Sequence, residues 1–161
     1  MNLRPACPAD FAFIRALAQR PENAAFITDE DEAALLGYLG NPSCKLLIWG
    51  DETPAGYALL CGIGDASGVV ELRRLALDRP GKGDGAAFVR RLIDHSFDDL
   101  AAARLWLDAS GENLRAQKVY ARAGFTLEGR LRKHWYRPSL GRVVDMLLYG
   151  MMRDEWAALP S

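Results

Sequence analysis

The sequence predicts an α+β fold, a mixed and mostly antiparallel sheet of about seven strands flanked by helices on both faces. Three observations carry that reading. Three apolar runs between residues 45 and 78 are joined by short turns, the pattern of consecutive antiparallel strands. The third run enters a glycine-rich turn, then a stretch of helical periodicity, then an alternating strand, and such a strand–helix–strand unit is parallel by the crossover rule. Two extended stretches at the C-terminal end, joined by Pro138-Ser139-Leu140-Gly141, close as a hairpin.

Met1 to Ala6 reads as a short edge strand, limited by Pro5 and Pro8. Asp10 is placed to cap a helix whose apolar face is Phe11, Ile14, Leu17 and Ala18, with Pro21 ending it. Thr28 or Asp29 is the expected cap of a second helix carrying Leu35, Leu36 and Leu39, which stops at Gly40-Asn41-Pro42. Lys45 to Gly50 and Ala55 to Ile63 form a hairpin across Asp51-Glu52-Thr53-Pro54, and Val69 to Asp78 adds the third strand. Leu105 and Leu107 share one face of the next strand, Arg104 to Ala109, with Trp106 and Asp108 on the other. Asn113 is a good cap for a helix from Leu114 to Ala123, and Gly124 a good residue just past its end. Phe125 to Tyr136 and Arg142 to Met152 are the closing strands. There is no linker, repeat or low-complexity tract, so residues 1–161 read as a single domain.

The bulk composition narrows the function classes. Half the residues are apolar and 25% are charged, with a formal net charge of −1, so bulk attraction to nucleic acid or to an anionic membrane is not indicated. No apolar run approaches spanning length and no signal pattern opens the chain, which points to a cytoplasmic protein. Cys7, Cys44 and Cys61 are odd in number and widely spaced; they fit reduced thiols better than a disulfide framework or a zinc site.

The chain is organised around Leu72 to Phe97. Leu75, Ala76 and Leu77 end a buried strand; Pro80-Gly81-Lys82-Gly83-Asp84-Gly85 follows; then Val89, Ile93 and Phe97 recur at helical spacing. Glycines let the backbone turn tightly and approach a ligand, while the first N–H groups of the helix and its dipole face an anion. A phosphate-bearing cofactor is the expectation. The turn lacks the Gly-Lys-Ser/Thr ending of a nucleoside-triphosphate loop, and its G-x-G-x-G spacing is not that of a dinucleotide fold.

That turn, followed by Asn113-Leu114-Arg115-Ala116-Gln117-Lys118-Val119-Tyr120-Ala121-Arg122-Ala123-Gly124-Phe125, resembles the paired motifs of the GNAT acetyltransferase superfamily. Leu127-Glu128-Gly129, Asp145-Met146-Leu147-Leu148-Tyr149 and Arg153-Asp154-Glu155-Trp156 look like the Rim-type ribosomal-protein N-terminal acetyltransferases and their polyamine-acetylating relatives. The resemblance covers essentially the whole chain. It implies a GNAT-like acyl-CoA N-acyltransferase fold, acetyl-CoA as cofactor, and direct transfer of an acetyl group to a primary amine in a ternary complex. The acceptor is then a peptide N-terminus, a polyamine or another small amine, and the resemblance leaves a homodimer open. One departure stands out: the residue that usually opens the pyrophosphate loop, Arg or Gln, falls on Pro80, which has no N–H to offer.

The resemblance also assigns roles. Gly81, Lys82, Gly83, Asp84 and Gly85 would receive the pyrophosphate. The backbone of Leu75, Ala76 and Leu77 would pair with the pantetheine arm and offer an N–H to the thioester oxygen. Asn113, a cap by position, would add a hydrogen bond to pantetheine. Tyr120, a core aromatic by periodicity, matches the tyrosine that protonates the departing thiolate. Two acids are candidates for the base: Glu71, the preferred one, on the strand before the loop, and Asp108, whose shorter side chain counts against it. An ordered water chain would serve the same purpose. His134, Trp135, Tyr136 and Tyr38 are candidates for the acceptor cleft, and Asp29 to Glu32 could give it an acidic wall, although such a run is commonly a solvated helix start. The alternatives are a non-catalytic acyl-CoA-binding or sensor module on the same fold, and an interaction domain that binds no nucleotide.

Overall fold

The computed structural model describes residues 1–81 and 83–160. Seven strands form one sheet: β1 (Asn2–Pro5), β2 (Cys44–Gly50), β3 (Pro54–Cys61), β4 (Val69–Leu77), β5 (Arg104–Ser110), β6 (Thr126–Arg137) and β7 (Arg142–Met152). Their spatial order is β1-β2-β3-β4-β5-β7-β6, and β4–β5 is the parallel contact in an otherwise antiparallel sheet. The connection that makes it parallel is α4 (Asp84–Asp94), prolonged by a π-helical turn over His95–Asp99.

Side chains alternate across this sheet, and each face has its own core. Leu46, Ile48, Tyr57 and Leu59 point to one side, where α1 (Phe11–Gln19) and α3 (Glu32–Gly40) cover them with Phe11, Ile14, Leu17 and Leu35. Leu47, Trp49, Ala58 and Leu60 point to the other, under Phe88, Leu92 and Ile93 of α4, with Trp49 and Phe88 stacked at 5.1 Å. Tyr120 and Phe125 extend this second core beneath α5 (Leu114–Arg122).

Three local expectations need correction. Asp10 does not cap α1: its carboxylate turns back to accept from Arg4 at 2.7 and 2.8 Å and from the Cys7 N–H at 2.9 Å. A buried carboxylate gains more from a bidentate guanidinium than from a helix N–H. The cap of α3 is Asp31, which accepts from the Ala34 N–H at 2.9 Å, rather than Thr28 or Asp29. Between α1 and α3 lies an unforeseen short helix, α2 (Pro21–Ala24), begun by the proline that ends α1, since proline at a first helical position loses no bond. Cys44 and Cys61 are free thiols facing each other across β2 and β3, with their sulfurs 3.0 Å apart. Among the described residues no helix is long and apolar enough to cross a membrane.

Candidate active site

The site begins where two strands part. β4 and β5 pair only through Val69, Val70 and Glu71 with Arg104, Leu105 and Trp106. Beyond that point β4 remains paired with β3 and β5 with β7, so a gap opens between them. The cause lies on the β3 side: Leu59 faces Arg74 and Leu60 faces Leu72, leaving Arg73 as an extra residue, and such a bulge bends the strand that carries it. The backbone of β4 from Leu72 to Leu77 therefore has no strand neighbour on its β5 side. The gap widens into a cleft of about 610 Å³ bounded by Leu75, Ala76 and Leu77 on one wall and Ala109, Ser110, Ala116 and Val119 on the other.

One end of the cleft is the glycine turn. Gly81 and Gly83 have φ of 100° and 87°, in the left-handed region that favours glycine. Gly83 is also the N-cap of α4 and offers no side chain to the first helical N–H groups, where an anion could stand in for the missing cap. Among the described residues, chain neighbours aside, a Cβ at Gly81 or Gly83 would meet no atom within 4 Å, whereas one at Gly85 would sit 3.2 Å from Leu77 Cδ1. The first two glycines thus leave a cradle open, and the third lets the helix close on β4. Arg20 anchors the start of the turn by donating to the Asp78 carbonyl at 2.6 Å and to the Asp78 carboxylate. Pro80, Gly81, Gly83 and Gly85 line the cleft together with Arg115 and Arg122; Asp84 is not among its lining residues, and Lys82 lies outside the described residues.

The middle of the cleft holds the proton-bearing groups. Asn113 accepts from the Ala116 N–H at 3.1 Å, and Gly124, with φ of 97°, ends α5 where a Cβ would collide with Leu159 at 2.6 Å. These two ends fix the register that brings Tyr120 into the gap. Its ring packs edge-on to Phe125 at 6.0 Å and against Tyr149 at 5.8 Å. Burial, then the neighbouring Asp108 carboxylate and Tyr149, push its phenol above the ordinary tyrosine range. Asp108 opens into the cleft from β5, walled by protein on enough sides that burial, and then Glu71, raise its carboxyl above the usual range against the pull of Arg74, His134 and Arg73. Glu71 is held differently. It belongs to the last paired rung of β4 and β5, its carboxylate accepts from Arg73 Nε and Nη2 at 3.0 and 2.7 Å, and it is not among the cleft-lining residues.

Two further walls of the cleft were only partly foreseen. Asn23, Phe26, Ile27 and Thr28, from α2 and the loop after it, form one wall. His134 and Trp135 form the facing one, delivered by a bulge in β6 where the register skips from Leu131–Met146 to Trp135–Val144 and Lys133 takes φ of 45°. Asp145 pins that bulge by accepting from the Lys133 N–H at 2.8 Å and from Arg130 at 2.6 Å. Tyr38 and Tyr136 are not among the lining residues; the Tyr38 hydroxyl donates to Glu30 at 2.7 Å. The acidic run does not form a wall either. Asp29 is taken by Arg15 and Gln19, Glu30 by Tyr38 and by Arg74 at 3.5 Å, and Asp31 by the start of α3.

An open strand edge continuous with an anion cradle fits an amide-rich arm ending in phosphates, and orphaned backbone groups in such a gap call for a partner. A fold with these features, and a tyrosine lining the gap, defines an acyltransferase that uses coenzyme A thioesters. The chain belongs to the GNAT acetyltransferase family, whose model matches residues 11–125. An uncharacterized N-acetyltransferase of Mycobacterium tuberculosis is 33% identical over 117 residues, 70% of this chain and 73% of that one. YdaF of Bacillus subtilis, provisionally named a ribosomal N-acetyltransferase, is 30% identical over 82 residues, 51% of this chain and 44% of that one. In fold, the chain matches the spermidine N-acetyltransferase of Vibrio cholerae, solved in complex with CoA and spermine, with a TM-score of 0.86 at 19% identity over 97% of both chains. The protein is an N-acetyltransferase that takes acetyl groups from acetyl-CoA and places them on amines. Nothing in these comparisons favours a non-catalytic acyl-CoA-binding module.

Proposed function

We propose that Tyr120 is the general acid and Asp108 the general base of this transferase, and that transfer is direct, within a ternary complex. The observation that carries this reading is that both residues line one gap and that the Asp108 carboxylate helps to raise the Tyr120 phenol. Asp108 is preferred to Glu71 because its carboxylate faces the cleft while that of Glu71 is engaged by Arg73. Acetyl-CoA, when bound, supplies the acetyl group as a thioester. Asp108 takes the proton from the acceptor's ammonium, directly or through water, and its raised basicity suits the task. The phenol of Tyr120, kept protonated by burial, holds its proton where the two strands part. Leu75, Ala76 and Leu77 hold the amide arm by their backbone, with the Asn113 side-chain N–H as a further donor. Gly81, Gly83, Asp84 and Gly85 present the first turn of α4 to the phosphates, with Lys82, Arg115 and Arg122 adding charge.

The acceptor is read as a compact amine carrying one positive charge and an apolar flank, such as a peptide N-terminus, rather than a polyamine. Phe26, Ile27 and Trp135 offer the apolar surface, and Asp108 is the one carboxylate among the described lining residues. A second ammonium would find the neighbouring acids already paired, and desolvating it without a partner is costly. Turnover of a panel of peptide amides, spermidine and amino sugars tests this. A peptide amide is expected to show a kcat/KM at least about tenfold above spermidine; the reverse order would reject the reading. We further read residues 1–161 as one domain, because one continuous sheet joins both cores, and the protein as cytoplasmic, because three free thiols suit a reducing compartment.

A further inference from the structure

At the end of β6 a buried arginine is held without an acid. Arg137 is 5% exposed. Its Nε donates to the Ala25 carbonyl at 3.0 Å, Nη2 to the carbonyls of Ala24 at 2.6 Å and Ile27 at 3.1 Å, and Nη1 to Thr28 Oγ1 at 3.4 Å. Its guanidinium lies 3.9 Å over the centre of the Trp135 ring. Among the described residues no carboxylate forms an ion pair with it, and burial, with Arg74 nearby, lowers its pKa from the usual arginine range. Ser139, two residues on, donates to the same Ala24 carbonyl at 2.9 Å.

A buried charge that faces only neutral acceptors costs stability unless its geometry achieves something a neutral side chain cannot. Here the planar fork gathers the carbonyls that end α2 and the loop beyond, groups that a helix this short leaves unpaired. That loop supplies Phe26, Ile27 and Thr28 to the cleft, while the ring beneath the guanidinium supplies the facing wall. Asn23 ties the other side of the segment by donating to the Leu17 carbonyl at 2.9 Å. One side chain therefore joins both of these walls of the cleft.

We propose that Arg137 is the positioning residue of the acceptor pocket, a latch that joins the α2–α3 loop to Trp135 and fixes the width into which the amine substrate fits. The proposal rests on reading these walls of the cleft as the acceptor's. Lysine cannot reproduce the fork, so charge alone does not restore the latch.

The test uses the full chain with acetyl-CoA and a short peptide amide with an apolar second residue, spermidine and an amino sugar serving as further acceptors. In Arg137→Met the KM for the acceptor is expected to rise at least about tenfold, with the KM for acetyl-CoA unchanged within about twofold. Amide hydrogen exchange in residues 24–28 is expected to accelerate relative to α4. Arg137→Lys is expected to fall between wild type and Arg137→Met, and it carries the test should the methionine variant not fold. An active wild type whose acceptor KM survives the substitution, or whose two KM values move together, would overturn the latch alone. A wild type that acetylates none of these amines would overturn the acceptor reading and the latch with it.

Discussion

Tyr120 is 8% exposed and packs like a core residue, yet it also lines the cleft that parts β4 from β5. Those two properties separate in Tyr120→Phe, which keeps the ring and removes the proton. The expected result is a kcat lower by about 10²-fold, the ordinary contribution of a positioned acid, with melting temperature and acetyl-CoA affinity little changed. Asp108 makes a second prediction through its titration. Because its carboxyl is raised by burial and by Glu71, the base form exists only above a pKa higher than an ordinary aspartate's, so kcat/KM should fall as pH drops through that value. Asp108→Asn should be slow throughout and should lack that acidic limb. A limb that persists in Asp108→Asn but vanishes in Glu71→Gln would move the role to Glu71.

The glycine turn and the bulged strands act as elements. Gly83 combines a left-handed backbone with an open cradle, so Gly83→Ala has two separable consequences. The conformation costs about 1–2 kcal/mol for any residue bearing a Cβ, read in thermal melts. The added methyl also enters the space ahead of α4, so the KM for acetyl-CoA should rise while the KM for the acceptor stays put. Equal losses in both would mean that the turn serves the fold alone. Pro80, which cannot donate an N–H, sits in the lining beside the glycines, where Arg115 and Arg122 of α5 bring positive charge from across the cleft. The two bulges divide the remaining work: the one at Arg73 opens the gap between β4 and β5, and the one before Trp135 brings His134 and Trp135 to the cleft.

At the scale of the whole molecule, two cores share one sheet, and the N-terminal segment is joined to it through Asp10. Arg4 holds the Asp10 carboxyl near about 2, helped by the Cys7 N–H and opposed by burial. A carboxyl lowered on folding contributes stability that is complete above its unfolded value and is lost as pH falls towards its folded one, here from 3.8 to about 2. Melting temperature should therefore drop across that window. Asp10→Asn should flatten the drop and lower stability at neutral pH by about 1–3 kcal/mol, since the Arg4 guanidinium and the Cys7 N–H lose their charged acceptor. Acetyl-CoA binds the folded form alone, so excess cofactor should raise the melting temperature in the wild type and raise it less in Gly83→Ala.

Much of this was legible in the residues themselves. The meander, the turn, the capped helix from Asn113 to Gly124 and the family resemblance all rest on spacings within about a dozen residues, where local backbone chemistry decides the outcome. Tyr120 was placed by the same means, since its helix begins and ends on residues whose preferences are local. Arg137 reaching Ala24, Arg74 near Glu30, Arg20 at Asp78 and Asp145 under Lys133 join residues far apart in sequence, and no periodicity marks such pairs. The acidic run at Asp29–Glu32 shows the difference: its charge is plain in the sequence, but whether it faces a substrate depends on which cations the fold brings to it. The sequence by itself determined the fold, the glycine turn and the place of Tyr120 on its helix, because short-range sterics and hydrogen bonding select them. Only the tertiary structure decided which carboxylate faces the cleft and what holds the walls of Ile27 and Trp135 together, because burial and charge pairing exist only once distant segments meet.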